Sequence, residues 1–124
     1  LESIQDGQPT VIFEMRPDLV GNYIRGTLHG GVISAVLDAT GGLTAFLGVQ
    51  ERFGHDSIES CMDQFCKLGT IDFRVDYLRP GTGKSFNAKG DILRTGNKIC
   101  VTRIELHNDI NELIAVGTGA YLIG

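Results

Sequence analysis

Two hydrophobic periods divide this chain. From Gly30 to Leu47 nearly every position is apolar or small, whereas from Gly69 onward apolar and polar residues alternate. The first stretch predicts a helix apolar around most of its circumference, from about Gly30 to Leu47, ending near Gly48. The second predicts strands. Ile71, Phe73, Val75 and Tyr77 alternate with Asp72, Arg74 and Asp76 up to Pro80, and Phe86, Ala88, Gly90 and Ile92 form the next set. Gly81-Thr82-Gly83-Lys84 is a turn and Thr95-Gly96-Asn97-Lys98 a hairpin signal. Ile99 to His107 is a third strand, and the shift of its apolar phase between Val101 and Ile104 predicts a bulge there. Leu113 to Ile123 is apolar on both faces, which predicts a central strand. Ahead of the helix, Val11 to Glu14 reads as a short strand and Arg16 to Thr27 as irregular, broken by Pro17, Gly21 and Gly26. Ile58, Met62 and Phe65 fall at helical spacing and predict a second, shorter helix.

Strand, long buried helix, then four strands joined mostly by hairpins describes an α+β protein with an antiparallel sheet. A helix apolar on most sides must be enclosed, and a curved sheet wrapped around it is the simple solution. One layer of sheet leaves part of the helix uncovered, so a second subunit is expected. The 124 residues fit a single domain spanning 1-124.

Composition narrows the function. A net charge of -4 leaves no electrostatic footprint for a nucleic-acid backbone. The helical run is long enough to span a membrane, but its glycines, threonines, Ser34, His29 and Asp38 argue against a span. No basic segment followed by an apolar stretch opens the chain, so no signal peptide is expected. Cys61, Cys66 and Cys100 are odd in number and lack metal-ligand spacing, which predicts free thiols in a reducing cytoplasm. No metal site is expected from any His/Cys/Asp/Glu set.

Asp38 is the one charged residue between Arg25 and Glu51. Desolvating an unpaired carboxylate there costs several kcal/mol even after relaxation. On a helical wheel Gly31, Ser34, Ala35, Gly41, Gly42 and Ala45 all lie within about 60° of it. Val32, Val36, Leu43, Phe46 and Leu47 lie opposite. Close backbone packing explains such glycines but not a carboxylate among them. A slot faced by a working acid explains both. Gly30-Gly31 leave the first backbone N–H groups of the helix unobstructed, where the helix dipole favours developing negative charge. The Gly31 N–H is therefore a candidate oxyanion donor. Gly31 and Asp38 lie about 10 Å apart along the axis at 1.5 Å per residue. That is far for one reacting carbon, so the two are expected to meet across a dimer interface.

His29-Gly30-Gly31 followed by Asp38 resembles the His-Gly-Gly motif and helix carboxylate of the hot-dog-fold acyl-CoA thioesterases, the phenylacetate-pathway type in particular. The resemblance covers nearly the whole chain, including Ile71–Pro80, Gly90–Lys98 and Ala115–Ala120. It implies a hot-dog fold and hydrolysis of acyl-CoA thioesters to coenzyme A and a carboxylic acid, with Asp38 as base or nucleophile. It implies that the carbonyl oxygen sits on the Gly31 N–H, with Gly30 and Ser34 beside the substrate. It further implies a homodimer or homotetramer with shared sites, and no cofactor beyond the coenzyme A of the substrate. Asn22 matches, one residue out of register, an Asn that helps orient water. Arg94, Asn97 and Lys98 match contacts to the coenzyme A phosphates. His29 is expected to shape the start of the helix more than to act as a base. The segment Glu51–Leu68 is longer than in many compact relatives and is expected to cover the acyl end of the slot and shape chain-length preference; the apolar residues of Ser57–Cys66 favour medium or long aliphatic chains.

Two rivals remain. A hot-dog hydratase or dehydratase carries Asp-x-x-x-x-His, and none of His29, His55 or His107 has an Asp at that spacing. Exposed positions suit His55 and His107. A non-catalytic acyl-CoA-binding module is the other rival, although a carboxylate beside an acyl thioester adds nothing to affinity for an anionic ligand. Ser34 has no His at usable distance for a Ser-His-Asp hydrolase.

Overall fold

In the computed structural model, which describes residues 3–5, 8–54 and 57–124, an antiparallel sheet curls around one long helix. The elements are β1 (Ser3–Gln5), β2 (Gln8–Glu14), a 3-10 turn (Pro17–Leu19), β3 (Val20–Asn22), β4 (Thr27–Leu28), α1 (Gly30–Phe53), α2 (Ile58–Lys67), β5 (Gly69–Tyr77), β6 (Ser85–Thr95), β7 (Ile99–Asn108) and β8 (Leu113–Leu122). The main sheet runs β1-β2-β6-β7-β8-β5, and β3 pairs with β4 in a separate small ribbon. This is the α+β hot-dog arrangement. His55, expected to be exposed, lies outside the described residues.

The helix is longer than its glycines suggest. It passes through Gly48 and stops at Gly54, whose φ of 67° with ψ of 164° is a backbone conformation that only glycine adopts readily. Gly48 is a packing residue instead, buried against Ile92. By length and composition α1 could cross a membrane, but here Leu37, Ala45 and Val49 are enclosed in the core. The face turned to the sheet is Ile33, Leu37, Thr40, Thr44 and Ala45, while the bulky Val32, Val36, Leu43, Phe46 and Leu47 are only half-buried. Thr40 and Thr44 tolerate burial because their hydroxyls donate to the carbonyls of Val36 and Thr40, both at 2.7 Å.

Three other expectations change. Arg16 to Thr27 contains the β3–β4 ribbon, too short to show a period. β5 and β6 are not hairpin partners: β5 pairs with β8 at the sheet edge and β6 with β2, so residues 78–84 cross between them. The bulge expected on β7 lies on β6. Ile92 and Arg94 face Thr102 and Val101, which leaves Leu93 as the extra residue. Strand β7 keeps a strict period, with Cys100, Thr102, Ile104, Leu106 and Asn108 all buried. The apparent phase shift comes from Val101 facing out and Thr102 facing in.

Helix and sheet approach closely at Gly90, where a Cβ would lie 1.9 Å from the Thr44 hydroxyl. Gly90→Ala is therefore expected to lower stability by about 1–3 kcal/mol, as overpacked cores do. Urea denaturation checks this, and an unchanged midpoint would contradict the close approach.

Candidate active site

Asp38 lies two turns into α1 and is half-buried, less enclosed than the apolar run implies. It is not unpaired. Its Oδ1 accepts the Thr70 hydroxyl at 3.0 Å and the Tyr121 phenol at 3.1 Å. The same phenol lies 3.0 Å from the Asp38 main-chain carbonyl. Oδ2 has no hydrogen-bond partner among the described residues. One oxygen of the carboxylate is held by the sheet and the other is open.

Sequence patterning gave no hint of Thr70 or Tyr121. On β5 the residues that face the helix are Phe73 and Val75, so strict alternation places Thr70 on the outer face. The register breaks at this point: Thr70 pairs with Tyr121 while Asp72 pairs with Ala120, leaving Ile71 as a bulged residue. The bulge turns Thr70 to the helix side, beside its cross-strand partner Tyr121. Ile71 is correspondingly 54 % exposed.

At the start of α1, His29 is the N-cap and its Nδ1 accepts the Gly31 N–H at 2.9 Å. The expected oxyanion donor is thus engaged by the neighbouring imidazole. The Gly30 N–H has no acceptor among the described residues. Tyr77 closes over this end, donating to the Gly30 carbonyl at 3.1 Å. Ser34 donates to the Gly31 carbonyl at 3.1 Å. The small-residue stripe divides accordingly. Gly31 and Ala35 are exposed, whereas Gly41 and Ala45 are buried under the sheet.

The other candidates lie apart within this chain. Asn22 is exposed at the β3–β4 tip, where its Oδ1 accepts the Ile24 and Arg25 N–H groups at 3.1 and 3.3 Å. Arg94, Asn97 and Lys98 sit on the β6–β7 hairpin at the far end of α1, where the Arg52 guanidinium donates to the Thr95 carbonyl. Arg52 is about 21 Å along the helix from Asp38 at 1.5 Å per residue. His107 is half-buried on β7. Helix α2 packs on α1 through an edge-to-face contact of Phe65 with Phe46, ring centroids 5.7 Å apart, and leaves Ile58 82 % exposed.

The helix start and the half-buried carboxylate thus sit within a hot-dog fold. The Thioesterase superfamily model matches residues 25–115, and the chain belongs to that family. It is 40% identical over 124 residues to the medium/long-chain acyl-CoA thioesterase YigI of Escherichia coli K12, covering 100% of this chain and 80% of that protein. It is similar to a solved thioesterase-superfamily protein of Shewanella oneidensis at 47% identity and a TM-score of 0.90, covering 94% of this chain and 76% of the other. A Bacillus halodurans protein solved with CoA has a TM-score of 0.69 and 25% identity over 91% of this chain and 65% of its own.

Burial, then the charge of Asp38 and the hydrogen bond to it, push the Tyr121 phenol well above the ordinary tyrosine range. The phenol remains a neutral donor at any working pH. An unfolded chain loses this proton near pH 10 and the folded one does not, so folded protein binds more protons above that pH. Stability should then fall as pH rises past about 10, by up to ~1.4 kcal/mol per pH unit more than in Tyr121→Phe. Denaturant titrations of both proteins from pH 9 to 12 check this; parallel slopes would contradict it.

Proposed function

We propose that this protein hydrolyses medium- and long-chain acyl-CoA thioesters, giving coenzyme A and a carboxylic acid. The observation that carries the proposal is the one-sided carboxylate of Asp38, with Oδ1 fixed by hydroxyls and Oδ2 open. In this scheme a water attacks the thioester carbonyl and gives a proton to Oδ2. The tetrahedral intermediate collapses, the C–S bond breaks, and the proton passes from Asp38 to the departing thiolate. Water, a base and an oxyanion donor suffice, so the scheme calls on no metal or redox cofactor.

The oxyanion is assigned to the start of α1, where Gly30 offers an unengaged N–H and Gly31 offers a second once the His29 ring turns aside. This start lies about 10 Å from Asp38 in the same chain, counting 1.5 Å per residue. The proposed site therefore joins Asp38 of one subunit to the helix start of its partner. The exposed small residues Gly31, Ala35 and Ala39, flanked by the unpaired edge of β5, offer a surface for that contact. Support for longer acyl chains comes from the activity named for YigI and from the apolar Ile58, Met62 and Phe65 on α2. Asn22, Arg94, Asn97 and Lys98 are assigned to orienting water and to the coenzyme A phosphates through the partner's site. The free thiols fit a reducing cytoplasm.

Thiol release from acetyl-, decanoyl- and palmitoyl-CoA tests the proposal. Decanoyl- and palmitoyl-CoA should be the better substrates, and Asp38→Asn should lower kcat by about 10²–10⁴-fold with the fold intact. Binding without turnover by the unaltered protein would instead favour an acyl-CoA-binding module. Sedimentation should find a particle of at least two chains. A fully active monomer would overturn the shared site.

A further inference from the structure

The Tyr121 side chain is 1 % exposed, yet its hydroxyl is aimed at a half-buried carboxylate and not at the backbone of its own sheet. Two glycines leave room for it. A Cβ at Gly41, one turn beyond Asp38, would lie 2.2 Å from the phenol oxygen, and one at Gly119 would lie 2.7 Å from it. The ring packs among Ala45, Val49, Cys100 and Ile123, and its hydroxyl reaches across to the helix. The phenol has one hydrogen, shared between Oδ1 at 3.1 Å and the Asp38 carbonyl oxygen at 3.0 Å. Bonding side chain and main chain of one residue fixes the carboxylate relative to its own helix.

We propose that Tyr121 is a positioning residue for the hydrolysis: its phenol holds Oδ1 of Asp38 against the helix so that Oδ2 stays turned toward the attacking water. The role rests on Asp38 being the base. Tyr121 does not touch the substrate. Thr70 donates to the same oxygen from an exposed position on the edge strand, where water competes with it. The phenol makes the better shielded of the two bonds. Losing the phenol leaves only the exposed Thr70 hydroxyl on Oδ1, so the carboxylate rotates more freely about χ2 and Oδ2 is aligned for a smaller fraction of the time.

The test is Tyr121→Phe, which keeps the ring and removes only the hydroxyl, assayed by thiol release from decanoyl-CoA in the wild-type and Asp38→Asn backgrounds. In the wild-type background kcat should fall about 10- to 100-fold, as displaced catalytic groups do, with KM within about twofold. In the Asp38→Asn background, measured at high enzyme concentration, the same change should alter the residual rate by less than about twofold, because nothing is left to position. Two results would overturn the positioning role: kcat unchanged in Tyr121→Phe, or a loss carried by KM. Equal loss in both backgrounds would also overturn it, since a structural contribution multiplies regardless of residue 38. Wild-type turnover that survives Asp38→Asn would overturn the base assignment itself, a separate outcome.

Discussion

A carboxylate persists on the apolar central helix because hydroxyl groups reach it from the sheet. Thr70 and Tyr121 are cross-strand neighbours on β5 and β8, and both donate to one oxygen of Asp38. Those bonds offset part of the desolvation that a carboxylate suffers at the edge of a core. They also remove the symmetry of the group, leaving Oδ2 without a hydrogen-bond partner among the described residues. Much of the surrounding architecture follows from keeping helix and sheet near enough for a hydroxyl to span the gap.

That nearness is set by glycines on both surfaces. Gly41 on the helix and Gly119 on β8 admit the phenol, and Gly90 on β6 admits Thr44. The stripe of small residues on α1 thus serves two ends. Its C-terminal part lies under the sheet, and its N-terminal part stays open beside the edge of β5, where a second chain is proposed to complete the site.

The fold was legible because its signals are local. An apolar run with one charge marks α1, and alternation marks β5 to β8. Asp38 was legible for the same reason, as a lone charge in an apolar setting. The stop of α1 was misplaced because glycine ends a helix only where φ turns positive, at Gly54, and not where it admits Ile92, at Gly48. Thr70 and Tyr121 escaped notice because long-range pairing decides their role. A single bulged residue, Ile71, reverses the face of Thr70, and only register shows that Tyr121 lies opposite it. The cap formed by His29 on the Gly31 N–H depends on a side-chain rotamer, which no spacing reveals.

About 10 Å of helix separates Asp38 from the exposed N–H groups at the start of α1, so the geometry of a bound ligand is the most direct measurement. The ligand of choice is a decanoyl-CoA analogue in which a methylene replaces the thioester sulfur, preserving the carbonyl and preventing hydrolysis. A crystal structure of that complex should place the carbonyl oxygen about 3 Å from the Gly30 or Gly31 N–H of one chain. The carbonyl carbon should face Oδ2 of Asp38 in the partner chain, with Oδ1 still held by Thr70 and Tyr121. A ligand whose carbonyl lies away from Asp38 in both chains would contradict the assignment of that carboxylate as the base.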